Sequence, residues 1–124
     1  MTQNSRVLLV DADEQVRVSL SRALLDRDVF CDAAVSARDA LVQLGQRRYA
    51  LMLLHLEMAG VEGVFDCIRS LPVSRRPMVM ITANVRSSKD AIDTEIVQII
   101  IRRPLKIAEV AGMIRACLEF VPDA

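Results

Sequence analysis

Three aliphatic runs, Val7-Leu8-Leu9-Val10, Leu51-Met52-Leu53-Leu54 and Met78-Val79-Met80-Ile81, each stop at a polar residue: Asp11, His55 and Thr82. A short run with no polar alternation must bury both of its faces, as a strand does inside a parallel sheet covered on two sides. Ile96-Val97-Gln98-Ile99-Ile100-Ile101 is β-branched almost throughout and leads into Arg102-Arg103-Pro104, which reads as another strand and its turn. Val29 to Ala34 is more mixed and suits an edge strand.

Helical spacing fills the gaps between these runs. Asp13 caps a helix that buries Val16, Leu20, Ala23 and Leu24 and closes at Asp26 to Asp28. Ser36 caps a second, with Ala37, Ala40, Leu41 and Leu44, which stops at Gly45. Arg47-Arg48 after it reads as a solvated turn, with phosphate binding as the lesser alternative. Beyond the loop Gly60-Val61-Glu62-Gly63, a third helix carries Val64, Phe65, Ile68 and Leu71 and ends before Pro72. Ser88 caps a short fourth helix through Asp93, and the last helix carries Ile107, Val110, Ala111, Ile114, Leu118 and Val121. Right-handed crossovers then require a parallel sheet between two helix layers. The expectation is one α/β domain over residues 1–124, a three-layer sandwich with its core at about 6–121.

Composition excludes several classes. Sixteen Lys and Arg balance sixteen Asp and Glu, so no net field draws the chain to nucleic acid or an anionic membrane. No apolar run approaches the roughly 20 residues of a membrane span. Met1 to Ser5 has no basic or apolar leader character. Cys31, Cys67 and Cys117 are odd in number and lie in apolar patterns, as reduced core thiols of a cytoplasmic protein do. The module is either free-standing or part of a longer chain.

Four strand ends meet at one edge of such a sheet: Asp11, His55, Thr82 and Arg103. With Arg17, Met58-Ala59-Gly60-Val61-Glu62-Gly63, Ile81-Thr82-Ala83 and Arg103-Pro104-Leu105 in order, this set resembles the receiver domain of two-component response regulators. The resemblance spans Arg6 to Val121 and implies a flavodoxin-like sheet of order 2-1-3-4-5. It also implies a phosphoacceptor aspartate at the end of the third strand and a Mg²⁺ ion held by that aspartate and two acids after the first strand. A Thr and a Lys would grip the phosphoryl oxygens.

The chain departs from that pattern at its chemical centre. His55 stands at the phosphoacceptor position, Ala12 at the second acid and Arg103 at the Lys, while Ile100 takes the switch aromatic position. Mg²⁺ asks for hard oxygens in octahedral array. Asp11 with Glu57 is a weak candidate metal pair, so Mg²⁺ binding is expected to be lost or weak and no cofactor is expected. His55 is expected to fill the pocket and bond to Asp11, Thr82 or a loop carbonyl. Arg103 either locks to Asp11 or Glu57 or faces solvent beside Arg102.

The expected function is a degenerate, phosphorylation-independent receiver: a protein-binding module of two-component signalling, not an enzyme. Its partner would be a histidine kinase, another regulator or an output domain, with homodimerisation through the fourth helix, fifth strand and last helix. Lys89, Asp93, Arg102, Lys106 and Glu109 are the exposed candidates there. The alternative is residual phosphoryl acceptance by Asp13, Glu57 or His55. A pH-sensing role for His55 is a further option, since imidazole charges near neutrality.

Overall fold

The computed structural model describes residues 6–84 and 92–120. Five strands form one parallel sheet: β1 (Val7–Val10), β2 (Cys31–Ala34), β3 (Leu51–His55), β4 (Met78–Ala83) and β5 (Val97–Arg102). Their order is β2-β1-β3-β4-β5. The helices are α1 (Glu14–Leu25), α2 (Ala37–Gln46), α3 (Val61–Ser70) and α4 (Ile107–Leu118), with a 3₁₀ turn at Val73–Arg75. This is the flavodoxin-like order.

Strand side chains point alternately to the two faces, so each apolar run feeds both helix layers. Leu8, Val10, Met52, Leu54, Val79 and Ile81 pack with Ala37 and Ala40 of α2 and Val61, Val64, Phe65 and Ile68 of α3. Val7, Leu9, Leu51, Leu53 and Met80 pack with Leu20 and Leu24 of α1 and Val110, Ala111 and Ile114 of α4. Each such Leu, Val or Ile contributes about 1.5–3 kcal/mol on burial. That explains why the runs of β1, β3 and β4 carry no polar residue before Asp11, His55 and Thr82.

Several boundaries differ from the sequence expectation for physical reasons. Val61 to Gly63 are the first turn of α3, not a loop, and Gly60 is the N-cap at φ 83°. A Cβ on Gly60 would meet Ala37 Cβ at 3.2 Å, so glycine serves both the left-handed turn and the close approach of α2. Leu71 lies past the end of α3, and α2 runs through Gly45 to Gln46. Leu41 of α2 is exposed. β5 is an edge strand with Gln98 and Ile100 exposed, so it is not buried on both faces. Gln98 is the extra residue of a bulge against Val79 and Met80, and its side-chain oxygen accepts the Val79 N–H at 2.7 Å. The three cysteines are free but half-buried, at the margins of the core. Ser88, Lys89 and most of the expected fourth helix lie outside the described residues, as does Val121.

Sequence reading missed a polar cluster beneath the sheet. The buried Tyr49 donates its hydroxyl to Asp32 Oδ2 at 2.7 Å, and Arg6 donates to Asp32 Oδ1 at 3.1 Å. Burial, reinforced by the Asp32 carboxylate, pushes the phenol well above its ordinary 10.0. A folded pKa above the unfolded one stabilises fully below the unfolded value and loses that contribution as pH climbs toward the folded one. Tyr49 is the sole tyrosine and there is no tryptophan, so phenolate absorbance reports it directly. The folded protein is expected to show phenolate only well above pH 10, and the urea-unfolded chain at the ordinary value. Coincident titrations would contradict the burial argument.

Candidate functional site

Parallel register assembles the site. Val10 lies opposite Leu54, and His55 opposite Thr82, so the residues that end the apolar runs stand side by side at the carboxyl edge. Asp11 follows β1, His55 and Thr82 are in β3 and β4, and Arg103 follows β5. Ligands of open parallel sheets gather at this edge.

Asp11 is the hub of the cluster and is buried. Its Oδ1 accepts the Asp13 N–H at 2.9 Å, and its Oδ2 is paired with Arg103 Nη2. The same Arg103 nitrogen donates to Thr82 Oγ1 at 3.2 Å, and Thr82 is itself buried. Arg103 thus clips the end of β5 to β1 and β4 together. Its backbone N–H also donates to Ala83 O at 2.8 Å, and the Arg103–Pro104 peptide is cis. Of the two readings of Arg103, the guanidinium pairs with Asp11 instead of facing solvent. Arg17, from α1, donates to the Asp11 carbonyl at 2.7 Å and pins the β1 turn from below.

His55 is placed between two carboxylates. Its Nδ1 is 3.7 Å from Asp11 Oδ1, and its Nε2 is 3.1 Å from Glu57 Oε1. The second contact lies off the ring N–H axis, so it has ion-pair distance without hydrogen-bond geometry. Glu57 Oε1 also accepts the Asn84 N–H at 3.2 Å and so ties the loop after β3 to the loop after β4. The hydrogen bonds expected from His55 to Asp11, Thr82 or a loop carbonyl are absent among the described residues; the ring sits between the Asp11 and Glu57 carboxylates. A void of only about 10 Å³ is left beneath Asp11, His55 and Thr82.

The other predicted residues fall as follows. Ala12 is exposed and presents a methyl where a second acid would stand. Asp13 is the N-cap of α1, its side chain accepting the Gln15 N–H at 2.9 Å. Asp93 is not an exposed contact residue: its side chain pairs with Arg69 and is mostly buried. Arg102 is half-buried and donates to Asn84 O at 3.0 Å. Lys106 and Glu109 are exposed.

These donors do not fit Mg²⁺. Both Asp11 oxygens already accept from protein donors, one of them a cation, and neither Ala12 nor His55 offers a hard oxygen. Glu57 is engaged with Asn84 and His55. Among the described residues, no three His, Cys, Asp or Glu side chains are grouped as a metal set.

The architecture is similar to known receiver structures. A CheY-like receiver domain protein from Methanospirillum hungatei JF-1 superposes with a TM-score of 0.78 at 17% identity, over 96% of this chain and 98% of that one. A signal receiver domain from Bermanella marisrubri gives 0.75 at 25% identity, over 92% and 98%. The transcriptional regulatory protein ResD of Bacillus subtilis is 30% identical over 83 residues, which is 66% of this chain and 34% of that protein. The chain therefore spans about a third of the length of that relative. No protein-family model matches. The architecture and strand order are those of the CheY-like receiver fold.

Proposed function

We propose that this receiver acts without phosphorylation, as a protein-binding module of two-component signalling in the cytoplasm. The observation that carries the reading is the pairing of Arg103 with Asp11 and Thr82. A receiver site needs a cation against its acids and a donor on its hydroxyl, and in this chain one guanidinium supplies both from within. Both contacts are made by Nη2 alone. The β5 turn is thereby tied to β1 and β4.

Phosphoryl acceptance by another side chain is the weaker reading. Asp13 is committed to capping α1, and Glu57 to Asn84. His55 is wedged between Asp11 and Glu57 at the end of a buried strand. Protein contact is better served by β5 and α4, where Ile100, Met113, Lys106 and Glu109 are exposed. A histidine kinase, another regulator, an output domain or a second copy of the chain would meet that face. Among the described residues no helix is long and apolar enough to cross a membrane.

The test is incubation with acetyl phosphate and Mg²⁺ followed by intact mass measurement. The expected result is an unchanged mass. A stoichiometric, acid-labile phosphoryl adduct would overturn the proposal.

A further inference from the structure

Several of the described arginines are bonded into the fold. Arg6, Arg17, Arg27, Arg69, Arg76 and Arg103 each make short bonds that hold the fold. Arg76, for example, donates from Nε to Leu71 O at 3.0 Å and from Nη2 to Arg69 O at 2.8 Å, closing the end of α3. Its neighbour Arg75 makes no side-chain bond or ion pair to any described residue. Arg48 reaches Ser74 O only at 3.4 Å, and Arg47 Nε lies 3.7 Å from Asp32 Oδ2, beyond hydrogen-bond range.

These three loosely held arginines line one cleft. It lies at the amino-terminal edge of the sheet, opposite the strand-end site, between the end of α2, the start of β3 and the 3₁₀ turn before β4. Its volume is about 290 Å³, near the lower end of small-molecule sites, which run from about 300 Å³. Leu44, Leu71 and Pro77 give it apolar walls, and no carboxylate lines it. A solvated-turn reading accounts for Arg47 and Arg48, which are adjacent in sequence. It does not account for Arg75, which arrives from a separate connection and adds a third like charge to the same concavity.

We propose that this cleft binds a phosphorylated small molecule with a flat apolar body, of mononucleotide size. Guanidinium groups match phosphate oxygens in paired hydrogen bonds, and three of them suit a dianion better than a single carboxylate. The Leu44, Leu71 and Pro77 surface would take the apolar body. Occupation would bridge α2 to the α3–β4 connection, giving the chain a ligand site remote from the strand-end cluster.

The test is NMR titration of the whole chain with adenosine monophosphate, with adenosine and inorganic phosphate as controls. Saturable amide shifts at Gly45, Arg48 and Leu71 are expected with the nucleotide, with weaker binding of either control. Arg48→Ala with Arg75→Ala should weaken nucleotide binding by at least about tenfold. Neither side chain holds the fold, so the rest of the spectrum should be unchanged; Arg48→Lys with Arg75→Lys keeps the charge and should give an intermediate loss. No saturable shift, shifts mapped to Asp11 and His55 instead, equal binding of adenosine, or equal affinity of the double alanine variant would each overturn the proposal.

Discussion

Replacing Arg103 by methionine is expected to lower the unfolding free energy by about 3 kcal/mol, the cost of stranding one charge of a buried ion pair. Asp11 is the stranded group, with its side chain 8% exposed and Arg103 at 18%. The variant leaves it the Asp13 N–H and the nearby imidazole, which do not replace a guanidinium. Thr82 also loses its donor. Urea unfolding followed by circular dichroism measures the effect. Asp11→Asn combined with Arg103→Met should cost much less than the sum of the single changes, because the charge and its counter-charge leave together. A loss below about 1 kcal/mol for Arg103→Met would mark the pair as an ordinary surface contact.

Rebuilding the acidic site is expected to work only when Arg103 is moved aside. Ala12→Asp with His55→Asp restores hard oxygens beside Asp11, yet the guanidinium still competes for Asp11 Oδ2. Adding Arg103→Lys replaces the rigid guanidinium with a flexible point charge. Calorimetric titration with Mg²⁺ should show the triple variant binding at least about tenfold more tightly than the double. Equal affinities would mean that the two acids alone had been missing. No binding by either would mean that the loops have drifted as well.

The sheet order and the site edge were legible in the sequence because both follow from burial. Runs such as Leu51–Leu54 have both faces to hide, and in-register parallel pairing then forces Asp11, His55 and Thr82 to one edge. The local signals of Asp13 and Ser36 were equally plain, since each caps the helix that follows it. Other features depend on contacts between distant segments, which a linear pattern does not carry. The choice of Asp11 as the partner of Arg103 spans 92 positions. The Tyr49–Asp32–Arg6 cluster, the Glu57–Asn84 tie and the Gln98 bulge are of the same kind. The charge of Asp93 suggests solvent, whereas Arg69 on α3 pairs with it. Arg75 gave no signal of its own until the fold set it beside Arg47 and Arg48.

A strand-end site closed by Arg103 takes no phosphoryl group. The decisive measurement is an amide NMR titration of the wild-type chain with beryllofluoride and Mg²⁺, reading Asp11, Ala12, His55, Thr82 and Arg103. With Arg103 already paired with Asp11 and bonded to Thr82, those resonances should stay in place. Saturable shifts at Asp11, His55 and Thr82 would contradict it, because the arginine would then have yielded the site to a ligand.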